Sequence, residues 1–206
     1  MSKVEHPLKA LAAYLPANSF EQVANYLHQY KVHLTITRER QSVLGDYRNA
    51  VNGKNHRVTV NGNLNTYAFL ITLLHELAHL LAYEQYGNRI YAHGKEWKSI
   101  YGKLLQDFLS RKIFPEDIEH ALQQSMHDPA ASSCAEESLM RVLRRYDKRA
   151  ENVRLLEELP FGSFFKTSDG RIFQKGQQLR KRFRCKEHKT GVEYLFSPVF
   201  EVQVLQ

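Results

Sequence analysis

Residues 67–86 are apolar nearly all round a helical wheel, yet they carry His75, Glu76 and His79 at their centre. Leu70, Ile71, Leu73, Leu74, Leu77, Leu80 and Leu81 leave no polar face for solvent, so a helix made of them must be buried. Unpartnered polar groups in a core cost several kcal/mol, roughly 2–7. The three polar residues therefore need partners. Residues four apart lie on one face of a helix, one turn along. His75 and His79 can thus aim two imidazoles at one point. A catalytic zinc takes about three protein ligands and keeps one position open. Glu76 is rotated roughly 100° around the axis from His75, which sets its carboxylate beside that open position. This is the physical content of an H-E-x-x-H motif. The competing reading is two core histidines bonded to backbone, with Glu76 reaching solvent.

A third ligand has to come from downstream. One pattern places it six residues past the second His, after a Gly. Positions 82 and 85 are Ala and Gln, so that pattern fails. Glu84 is too close in sequence to curl back to its own helix face. His93 follows Tyr86-Gly87-Asn88, a helix stop and turn, and precedes Gly94-Lys95-Glu96-Trp97, which opens a second helix. A loop between two helices can return His93 over the first. Glu96 is the alternative ligand, as in a gluzincin-like peptidase.

HELAH, a gap of thirteen residues and then HGKEW resembles the SprT-like metalloproteases, a family that includes the Spartan proteases of DNA–protein crosslink repair. The resemblance is strongest over about residues 56–110. The PAASSC and RKRFRC segments are similar to SprT-like-domain proteins of the Bacteroidetes type. The resemblance implies an α+β, zincin-like domain with one catalytic Zn2+ on His75, His79 and His93. It implies Glu76 as the catalytic acid and base, and protein substrates bound or crosslinked to DNA, with DNA as activator. Tyr91 and Tyr101 are both available to stabilise an oxyanion. Two further readings remain: a nucleic-acid-binding protein with a structural or vestigial zinc site, and the gluzincin-like peptidase using Glu96.

At 206 residues the chain fits one domain and a small appendage. The amino-terminal segment has no apolar run fit for a signal peptide, and no stretch reads as a membrane span. Only Cys134 and Cys185 are present, which argues for a reducing, cytoplasmic setting, and the chain is expected to be bacterial. With no C-x-x-C, the Cys-built zinc ribbon of many SprT-like proteins is excluded. Cys185 and His188 are too few to hold a metal alone.

Ser19-x-x-Gln22 has the form of a capping box for a helix running to Tyr30. Val32–Thr37 alternates as a strand, with His33 on the polar side. Leu44–Val51 reads as a second strand with a bend at Gly45-Asp46, and His56–Asn61 as a third. The segment Arg57–Asn61 is expected to be an edge for an extended peptide substrate. Trp97, Ile100, Tyr101, Leu104, Leu105 and Phe108 form the core face of the next helix. Pro115 opens a short helix over Glu116–Gln124. Residues 128–133 read as a linker, and Ser133-x-x-Glu136 as the cap of a helix ending near Asp147. Arg141, Arg144, Arg145, Lys148 and Arg149 make its basic side. The expected domains are a zincin unit at 1–127, linker and basic helix at 128–154, and a basic β-rich module at 155–206.

The chain's +7 charge is concentrated. Residues 166–189 hold nine basic residues and two acids, so the remaining 182 sum to zero. Within this stretch Arg180, Lys181, Arg182 and Arg184 are the expected nucleic-acid contacts, single-stranded DNA being favoured. Phe164, Phe165, Phe173, Phe183, Tyr194, Phe196 and Phe200 interleave with or follow the basic residues. Aromatic stacking with phosphate neutralisation holds single strands without sequence readout. The plainer reading makes these aromatics the core of a small sheet.

Overall fold

A computed structural model describes residues 8–40, 43–51, 53–126, 136–148 and 152–205. The chain mixes helices and sheets in an α+β arrangement and divides into two compact units, Met1–Asp147 and Lys148–Gln206.

In the first unit a 3-10 turn, Leu8–Tyr14, precedes α1 (Phe20–Gln29), β1 (His33–Thr37), β2 (Gly45–Arg48) and β3 (Arg57–Asn61). The helices α2 (Thr66–Tyr86), α3 (Lys95–Ser110), α4 (Glu116–Ser125) and α5 (Glu137–Leu143) follow. The capping box does not form at Ser19. Its hydroxyl donates to the Pro16 carbonyl at 2.8 Å instead, closing the turn before α1. Gly45-Asp46 is not a bend but the start of β2.

The strand order β1-β3-β2 corrects the expected substrate edge. β3 lies in the middle, parallel to β1 and antiparallel to β2, so both its edges are paired. The strand next to α2 with an unpaired edge is β2. Val58 and Val60 of β3 are fully buried.

Helix α2 starts where Asn65 accepts from the Tyr67 and Ala68 amides, at 3.1 and 2.9 Å. Such a cap contributes about 1 kcal/mol. The same side chain donates to the Leu143 carbonyl at 3.0 Å and tethers α2 to the end of α5. The helix ends at Gly87, whose φ of +59° suits a residue without Cβ. By length and composition α2 is apolar enough to cross a membrane, which corrects the expectation that no stretch would be. It is a core helix here, with thirteen of its residues buried. Leu139 and Leu143 of α5 join the same core as Phe69, Trp97 and Phe108. The expected basic side of α5 is largely accounted for within the unit. Arg144 is buried, Arg141 pairs with Glu137 at 3.4 Å, and Arg145 pairs with Asp117 at 3.3 Å. Arg149, Cys134, the linker at 128–133 and the Ser133 cap lie outside the described residues.

The second unit is a six-stranded antiparallel sheet. Its strands are β4 (Val153–Leu155), β5 (Phe164–Lys166), β6 (Ile172–Leu179), β7 (Arg182–Glu187), β8 (Glu193–Phe196) and β9 (Glu201–Val204), in the order β4-β9-β5-β6-β7-β8. Leu156, Leu159, Phe165, Phe173, Cys185 and Val202 form its core, with Phe183 and Phe196 packed against them. Those four phenylalanines are therefore core, while Phe164, Tyr194 and Phe200 are exposed. Lys175 is also interior. Its Nζ donates to the carbonyls of Leu159 and Glu157, at 2.5 and 3.2 Å, and sits 4.1 Å from the Phe183 ring centroid.

Candidate metal centre

Helical spacing brings His75 and His79 onto one face of α2, and the turn after Gly87 returns His93 to them. The three Nε2 atoms converge. His79 and His93 are 3.0 Å apart, and each is 3.3 Å from His75. Two nitrogens bound to one zinc at about 2.0–2.1 Å in tetrahedral directions lie roughly 3.3–3.4 Å apart. The observed separations match that spacing closely, so this donor set fits one small metal ion.

Electrostatics favours the same use. Burial, then the nearby His79 and His93, lowers His75 to about 3, and burial, then His93, lowers His79 to about 4. Burial, then Lys98, lowers His93 as well. All three rings are held neutral, the state in which imidazole is a ligand. Trp97 of α3, fully buried, packs against all three, with centroids 4.7 Å from His75 and His93 and 5.1 Å from His79. Tyr101 stacks on Trp97 at 5.0 Å and meets His75 edge-on at 5.5 Å.

Glu76 is buried in the same helix turn. Burial, then Asp46, raises its carboxyl to about 8, against the opposing pull of Arg40. β2 reaches Glu76 at Gly45, where a Cβ would lie 2.5 Å from Glu76 Oε1 and 2.9 Å from Thr72 Cγ2. Only glycine permits that approach, where composition alone predicts a bend. Tyr47, two residues along β2, was also missed. Its ring is nearly parallel to that of His79, 6.4 Å away.

The three histidines thus lie together, and Glu76 is buried beside His75 on α2. Glu96 does not join the metal cluster found among the described residues. It lies in the first turn of α3, 3.9 Å from Lys95 Nζ. Of the two tyrosines weighed for an oxyanion, Tyr91 is 88% exposed and Tyr101 is 6% exposed. In the second unit Arg180, Lys181, Arg182 and Arg184 are all exposed. Arg180 and Lys181 form the turn of the β6–β7 hairpin. Arg182, Arg184 and Lys186 alternate onto one exposed face. Arg180 has a φ of +46°, a conformation that favours Gly or Asn. Arg184 faces Glu193 at 3.7 Å.

A family model described as the SprT-like family matches residues 15–120, 106 of the 206. No curated protein and no solved structure matches the chain.

Proposed function

The chain belongs to the SprT-like family, and from that premise we propose that it is a zinc-dependent endopeptidase of zincin-like architecture. His75, His79 and His93 are its metal ligands and Glu76 its catalytic acid and base. The family is metalloprotease-like in general. The observation that carries the reading is the meeting of three Nε2 atoms within 3.3 Å of one another, two of them from the helix that also carries the buried Glu76. When bound, zinc supplies a Lewis acid that polarises a peptide carbonyl and acidifies water.

The remaining work belongs to the chain. In its ionised form Glu76 accepts the proton of the attacking water at a carboxylate oxygen and returns it to the departing amine nitrogen. Its burial between α2 and β2 shields the proton from exchange with bulk water. The unpaired edge of β2 can take an extended peptide by backbone hydrogen bonding, which presents one peptide bond after another to the site. Trp97 fixes the three histidines by packing against each ring.

The substrates in this reading are proteins bound or crosslinked to DNA, and the second unit is the nucleic-acid contact. Four exposed cations in five residues, on a hairpin whose turn places an arginine where glycine is favoured, support that part. The test is cleavage of a DNA-binding protein with and without single-stranded DNA, beside Glu76→Gln. Cleavage that requires both DNA and Glu76 is the expected result. Cleavage indifferent to DNA removes the DNA part and leaves the peptidase.

A further inference from the structure

A histidine that binds metal through Nε2 usually has its Nδ1 held by a carboxylate, a carbonyl or water, which fixes the ring's orientation. His79 has no such protein partner among the described residues: its hydrogen-bond contacts all run through Nε2. Its orientation therefore comes from ring packing. Two rings outside the triad supply it, Trp97 from α3 and Tyr47 from β2. The Tyr47 ring lies within 6° of parallel to that of His79, inside the 4.5–7 Å range of offset stacking.

Tyr47 is itself anchored. Its hydroxyl lies 2.9 Å from His56 Nδ1. The Ala50 amide donates to the same nitrogen at 3.2 Å, and a backbone N–H can only donate. Nδ1 is thus an acceptor, the Tyr47 hydroxyl donates to it, and the ring proton of His56 is on Nε2. That proton faces Glu84 Oε1 at 3.3 Å. His56 is buried, stacks on Tyr47 and meets Tyr83 edge-on. Glu84 is on α2, five residues after His79. The contacts therefore close a ring: α2 at His79, β2 at Tyr47, the entry to β3 at His56, and α2 again at Glu84.

We propose that Tyr47 is a positioning residue for the metal ligand His79, and that the His56–Glu84 pair locks it, and with it the β2 edge, onto α2. The proposal rests on the assignment of His79 as a ligand. It gives the strand offered to the substrate and the metal centre one shared fastening.

Co2+ is the probe, because its visible absorption band reports ligand geometry. Wild type, Tyr47→Leu, Tyr47→Phe, Glu84→Gln and His79→Ala are compared as full chains. The readouts are the Co2+ spectrum, Co2+ affinity by chelator competition, and the Tm of each metal-free protein. Tyr47→Leu should shift the band and weaken Co2+ by about 10–100-fold. Tyr47→Phe, which keeps the ring and loses the anchor, and Glu84→Gln should each weaken it by at least about threefold. These two carry the test if Tyr47→Leu does not fold. A lower Tm with spectrum and affinity unchanged overturns the positioning role. If the wild type binds no Co2+, or His79→Ala binds it equally well, the ligand assignment fails and this proposal with it. If His79→Ala loses the ion while the Tyr47 and Glu84 variants match wild type, only the positioning role fails.

Discussion

Gly45→Ala adds one methyl group at the place where β2 meets the Glu76 carboxylate, the group proposed as acid and base. Its Cβ would lie 2.5 Å from Glu76 Oε1 and 2.8 Å from Glu76 Cγ. Ordinary contact begins at 3.4 Å, so the carboxylate or the strand must move by about 0.9 Å. A misplacement of about 1 Å can cost roughly 100-fold in rate, or about 2.7 kcal/mol at the transition state. The overpacking itself should cost about 1–3 kcal/mol of stability. His75, His79 and His93 are not among the atoms nearest to that Cβ, so zinc content should stay at the wild-type level. The assay is kcat and KM on an unfolded protein substrate, with metal content measured on the same preparation. Gly102→Ala is the control, since nothing lies within 4 Å of its Cβ and it is in the middle of α3. It should leave activity alone and stabilise slightly, by up to about 1 kcal/mol. Activity of Gly45→Ala within threefold of wild type would refute the close packing of β2 on Glu76 as a catalytic requirement.

Other consequences are as direct. His93→Ala should weaken zinc by well over tenfold and Glu96→Ala by less than twofold in a chelator titration, a contrast that a Glu96 ligand would invert. Neutralising Arg180, Lys181, Arg182 and Arg184 together should lower affinity for single-stranded DNA and flatten its log–log salt dependence by up to about 3. An unchanged slope would release the hairpin from that role. The Thr167 hydroxyl, then Arg171, hold Asp169 down at about 2, from an ordinary 3.8. A depressed carboxyl contributes its stability in full above the unfolded value and loses it as pH falls through the folded one. The Tm difference between wild type and Asp169→Asn should therefore be constant above about pH 5 and shrink from about pH 4 to 2. A difference that grows over that range would contradict the assignment.

The histidine cluster was legible because its logic is local. His75 and His79 are one helical turn apart, and Tyr86-Gly87-Asn88 announces the turn that returns His93. What lay beyond reach was set by chain segments meeting across long separations. Gly45-Asp46 has turn-like composition, and only the approach of β2 to α2 shows that the glycine makes room for Glu76. The segment Arg57–Asn61 alternates as an edge strand would, but its parallel pairing with β1 puts it in the middle of the sheet. In the basic stretch, alternation alone could not say which side of the sheet faces inward. The register assigns Phe173, Lys175, Cys185 and Phe183 to the core side and Arg182, Arg184 and Lys186 to the exposed one. The Tyr47–His56–Glu84 contact joins three elements and has no signature in any one of them.

The most direct test of the central claim is zinc content per chain, measured on wild type, His79→Ala and Glu76→Gln purified alike. The account predicts one equivalent in wild type, near none in His79→Ala, and a full equivalent in an inactive Glu76→Gln. A wild type that holds no zinc, or a Glu76→Gln protein that cleaves its substrate like wild type, would contradict it.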